Sequence, residues 1–76
     1  MIGTITATWD DEAQVWVADS DNLPGVVAEA ATEAELLAKL RERVPEMLEL
    51  NGHLLKEPVT GVEIRWFKVQ TLTVAA

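Results

Sequence analysis

Apolar positions recur with two different periods along the chain, and the change of period marks its elements. Over residues 2–9 (IGTITATW) the period is two. Gly3, Ile5, Ala7 and Trp9 form one set, and Ile2, Thr4, Thr6 and Thr8 the other. Alternation with β-branched residues predicts a strand whose first set faces the core. Asp10, Asp11, Glu12 and Ala13 make a polar break of hairpin length. Residues 14–20 (QVWVADS) predict a second strand, in which Val15 and Val17 alternate with Trp16 and Ala18. Two apolar faces suit a central strand, or one whose second face meets another subunit.

Residues 19–22 (DSDN) are rich in turn formers and lead into Leu23-Pro24-Gly25. Proline presets φ near −65° and glycine tolerates positive φ, so a turn is expected there, with a third strand over residues 25–30. Thr32 and Glu35 have the spacing of a capping box, and a helix is expected over 33–51. Its apolar stripe is Leu36, Leu40, Val44, Met47 and Leu48, at spacings of three and four. Glu35 and Lys39 stand four apart, in the favourable order for an exposed pair.

Pro45 interrupts this pattern, because a proline inside a helix removes a backbone bond and clashes with the preceding turn. The stripe continues across it, so a kinked helix is favoured over one that stops and restarts. Asn51-Gly52 is the expected stop, with glycine in a left-handed conformation. Residues 53–61 read as a loop and 62–74 as a long last strand. Its alternation changes phase around Trp66-Phe67, which a bulge or burial of both faces would explain. The predicted order is β-β-β-α-β. Three strands in a meander and a fourth returning parallel to the first give an α+β, two-layer sandwich: one mixed sheet with one helix on one face. The far face of the sheet, carrying either Trp16 or Val15 and Val17, is left to be covered.

Charge sharpens this picture. The chain has 76 residues and a net charge of −7. Its first 35 residues hold eight acidic side chains and no lysine or arginine, and all six basic residues lie from Lys39 onward. Such a half repels phosphate and disfavours direct nucleic-acid binding. It suits a basic protein partner, although an acidic surface also serves solubility alone. A length of 76 residues fits a single domain, and the small core makes a homodimer plausible. There is no cysteine, no signal-peptide pattern and no apolar run of membrane-spanning length, so the expected location is the cytoplasm.

Catalytic chemistry finds little support. Asp10, Asp11 and Glu12, joined by Asp19 and Asp21, invite comparison with a magnesium site, but neighbouring hairpin carboxylates diverge, and a solvated acidic rim is the simpler reading. His53 and Ser20 are single copies with nothing to order them as a catalytic pair. Trp9, Trp16 and Trp66 are residue types that stack on bases, but strand positions and the acidic charge favour a role in the core or at an interface, with Trp16 and Trp66 as the anchors. No phosphate loop or zinc spacing is present. No catalytic, metal or cofactor site is therefore expected.

One resemblance extends the reading. An aspartate-rich hairpin turn with a Val-Trp-Val strand is followed by Asp21-Asn22-Leu23-Pro24-Gly25, a short strand, and then Ala31-Thr32-Glu33-Ala34-Glu35-Leu36-Leu37. This order resembles the HicB-type antitoxin family over residues 4–50. Val44-Pro45-Glu46-Met47-Leu48-Glu49-Leu50-Asn51 looks like an uncharacterised branch of short HicB-like proteins. The resemblance implies a partial ribonuclease-H-like domain in which Asp10 alone corresponds to a nuclease carboxylate. It also implies a non-enzymatic role, the capture of a small basic HicA-like ribonuclease toxin. Full antitoxins of that family usually carry a C-terminal DNA-binding domain, and the sequence to Ala76 has no room for one, so operator binding is not expected. Asp10, Asp11, Glu12, Asp19 and Asp21 are the expected partner-binding residues. An orphan self-associating module, or a metal- or small-molecule-binding remnant of a nuclease-like fold, are the competing expectations.

Overall fold

Both periods are realised in the computed structural model, which describes residues 1–75. Its elements are β1 (Ile2–Asp10), β2 (Val15–Ser20), β3 (Val27–Ala30), α1 (Glu33–Asn51), a 3-10 turn (Gly52–Leu54) and β4 (Gly61–Phe67). The strands form one sheet in the order β3-β2-β1-β4. β2 is antiparallel to β1 and β3, whereas β4 runs parallel to β1. With one helix on one face, this is the expected α+β, two-layer, mixed-sheet fold.

The register explains the core. Ala28, Ala18, Ala7 and Trp66 form one row across the sheet, and Ser20, Ile5 and Ile64 another. The alanines of β2 and β3 leave room for α1 to approach, and the helix packs mainly against these two strands. Leu36 and Leu40 are its buried residues, while Val44, Met47 and Leu48 sit half-buried at the edge of the core. Trp16 is buried and holds Trp9 and Trp66 edge-on, at centroid distances of 5.4 and 5.1 Å. Val15 and Val17, not Trp16, occupy the far face.

Several expectations change. Leu23 and Val26, flanking the Pro24-Gly25 turn, are among the most buried side chains and plug the open end of the sandwich. Gly25 has the expected positive φ, +82°. Gly52 does not: its φ of −58° lets the chain continue from α1 into the 3-10 turn. As favoured from the sequence, α1 does not stop and restart at Pro45 but runs through it as one helix. Thr32 caps it by accepting from the Glu35 amide at 3.1 Å. Lys39 does not pair with Glu35; its ammonium donates to the Glu29 carbonyl at 2.6 Å and ties the helix to β3. The last strand ends at Phe67 rather than at residue 74. No bulge is needed there, since Val62, Ile64 and Trp66 face inward and Phe67, exposed, is simply the next outward residue.

Candidate protein-binding face

The hairpin carboxylates are first of all structural. Asp10 accepts from the amides of Glu12 and Ala13 at 3.1 and 3.2 Å and so closes the turn. Asp11 accepts from the Trp9 indole and from the Gln14 amide side chain, both at 3.2 Å. Gln14 completes the hairpin with a φ of 56°, a left-handed value uncommon outside glycine. These exposed contacts leave carboxylate oxygens facing water.

The five expected binding residues do not form one patch. Asp10, Asp11 and Glu12 lie at the hairpin end of the sheet, where Asp10 faces Val15. Asp19 is four residues further along β2, roughly 13 Å away at strand rise. Asp21 lies in the loop beyond the end of β2. The structure separates the tip residues Asp11 and Glu12 from Asp21, and places Asp10 and Asp19 on the same far face of the sheet.

That face makes a more coherent surface than the hairpin tips. Its rows are Glu29, Val17, Thr8 and Phe67; Val27, Asp19, Thr6 and Arg65; and Thr4 with Glu63. Among its residues Asp10, Asp19, Glu29 and Glu63 are acidic, with Arg65 the one cation. Ile2, Val17, Val27 and Phe67 are all exposed upon it. Threonines fill the centre. No element among the described residues covers the face, which combines exposed apolar side chains with negative charge, as a protein-docking surface does. The sequence signal for it was the threonine set of β1; Glu29 and Glu63 were missed because the order of the strands decides which carboxylates share a face.

The remaining candidates have structural places. Ser20 Oγ donates to the Thr4 carbonyl at 2.7 Å and accepts from the Leu23 amide at 3.0 Å. His53 is exposed on the 3-10 turn. Trp16 is a core residue, and Trp66 packs half-buried beside it. Among the described residues no cluster of three His, Cys, Asp or Glu side chains has the geometry to hold a metal ion, and no helix is long and apolar enough to cross a membrane.

No curated protein matches the chain. Among solved structures it is similar to the hypothetical protein TTHA1013 from the extremely thermophilic bacterium Thermus thermophilus. The two are 49% identical, with a TM-score of 0.69, over 97% of this chain and 100% of the other. The model of a domain of unknown function, DUF1902, matches residues 3–69, a span from β1 to just beyond β4. The chain belongs to the DUF1902 family.

Proposed function

We propose that this chain is a non-enzymatic binding module of the HicB antitoxin type, which captures a small basic protein, a HicA-like ribonuclease toxin, on the far face of its sheet. The observation that carries this reading is the composition of that face: four carboxylates against one arginine, around exposed Val17, Val27 and Phe67. Complementary charge steers a basic partner to the surface, and the apolar residues hold it there. The acidic hairpin tip at Asp11 and Glu12 and the loop at Asp21 extend the negative field at either end. A metal-binding role has no carboxylate cluster among the described residues to support it.

The test uses the full chain as bait in its native lysate, washed at low and then high salt. A small basic protein is expected to be held at about 50 mM NaCl and released near 0.5 M, where charge is screened over a few ångströms. The double substitution Asp10→Lys and Asp19→Lys is expected to weaken the purified complex at least tenfold. A partner indifferent to both salt and charge reversal, or recovery of the bait alone, overturns the reading.

A further inference from the structure

The inner face of the sheet is only half covered. Because α1 lies over β3 and β2, an open groove of about 280 Å³ remains between the helix and β4. Its floor is Ile5, Val62 and Ile64, and Leu37, Leu40 and Val44 form its wall. Val62 points to this inner side, yet it is 38% exposed. Such a surface normally belongs under another layer.

A second observation indicates what that layer is. Beyond β4, residues 68–75 form no strand, and Val69, Leu72 and Val74 are 87%, 85% and 86% exposed. The molecule measures 57 × 19 × 16 Å. Phe67 pairs opposite Thr8, and Lys68 to Thr71 line one hollow with Trp9, Asp11 and Gln14 of the hairpin, so it is residues 72–75, about 13 Å of extended chain, that run on past the end of the sheet. Its sequence, KVQTLTVA, contains no glycine, proline, asparagine or aspartate to form a reversal, and is rich in β-branched residues. The tail therefore carries no residue specialised for a reversal over the groove of its own chain.

We propose that residues 72–75 of one copy lie along this groove in a second copy, and that the second copy returns the same segment to the first. Leu72 and Val74, two residues apart, share one side of an extended chain and enter the groove over Val62 and Ile64. The tail backbone runs along the edge of β4, whose outer hydrogen-bonding groups meet no neighbouring strand among the described residues. Length permits this: residues 72–75 span about 13 Å, within the roughly 28 Å of 19-residue α1, which walls the groove. The exchange is isologous, each copy giving and receiving one segment. It uses the inner side of the sheet and the β4 edge, so it stands or falls independently of partner capture on the far face.

Mass in solution tests this, by light scattering on the full chain at about 0.1 mM, where any dimer tighter than that concentration is populated. The unaltered chain is expected to be a dimer. The double substitution Leu72→Asp and Val74→Asp changes side chains that contact almost nothing within one copy, so its circular dichroism stays unchanged while it becomes a monomer. Val62→Asp removes the groove instead and also gives a monomer. Mixing the two monomeric variants restores one intact tail in one intact groove, and a dimer weaker than the original returns. A monomeric unaltered chain, a tail variant that stays dimeric, or a mixture that does not reassociate each overturns the proposal.

Discussion

At its N-terminal end β1 runs on past the last residue of β2, and the side chain of Asn22 closes the gap. Its Oδ1 accepts from the Thr4 amide at 2.9 Å, and its Nδ2 donates to the Ile2 carbonyl at 3.1 Å. One side-chain amide thus continues a ladder whose strand has ended. Asn22→Ala is expected to cost about 1–2 kcal/mol, because it strands the part-buried Thr4 amide, and to lower the melting temperature accordingly. An unchanged melting temperature would show that water replaces the amide freely. Gly25 is more demanding. A Cβ at its φ of +82° would lie 2.8 Å from Met47 Sδ. Left-handed strain and the clash together predict a loss of about 2–4 kcal/mol for Gly25→Ala in denaturant unfolding. Gly3 is tight for a different reason: a Cβ there would meet Leu23 Cδ1 at 2.7 Å. At this scale the sequence was partly legible. Pro24-Gly25 announced its turn, because turn chemistry is local. The roles of Asn22 and Leu23 were hidden, because their partners lie about twenty residues earlier in the chain.

Among the elements, α1 was readable to its ends, since its cap and its stripe are both written within nineteen residues. What periodicity could not supply was which strands the stripe would meet. That depends on the alanines of β2 and β3, which admit the helix on one side of the sheet only. Pro45 tests the continuity of α1 directly. It sits in an unbroken helix with no amide to offer the Arg41 carbonyl. A proline in a helix interior costs ~3 kcal/mol, while its stiffening of the unfolded chain returns up to about 1. Pro45→Ala should therefore stabilise the protein by about 1–2 kcal/mol, read as a raised urea midpoint at constant slope. A lowered midpoint would mean that the ring's place at the groove matters more than the missing bond. β4 was over-extended in the sequence reading because strand-like residues continue to position 74, whereas its pairing partner β1 offers register only as far as Thr8 opposite Phe67. Propensity describes what a segment prefers, and pairing needs a neighbour.

For the molecule as a whole, the acid imbalance bears on stability. Among the described residues the one ion pair is that of the N-terminal ammonium with Glu57, at 3.8 Å. Most of the carboxylates thus repel one another with no close cation to offset them. The melting temperature is expected to rise by a few degrees between about 10 and 150 mM NaCl, as screening relieves this repulsion. A fall in calorimetric scans over that range would indicate attractive pairs instead. The fold class was legible in the sequence, because alternation, the cap and the strand count jointly leave few topologies. The candidate face was legible only in outline: charge pointed to the N-terminal half, but Asp10 and Asp19 joined Glu29 and Glu63 only once the order β3-β2-β1-β4 was set.

The tryptophan cluster makes the protein its own optical probe. The other two tryptophans, Trp9 and Trp66, stand edge to face against Trp16, and the ammonium of Lys68, the first residue of the tail, lies 4.7 Å from the centre of the Trp9 ring. Emission from this chain therefore reports one place, the hairpin end where the tail departs. A cation held over an indole perturbs its excited state, so any movement of the tail should change fluorescence without a label. The ultraviolet spectrum of the unmodified protein can thus follow in real time a segment that makes few other contacts with the body of the molecule.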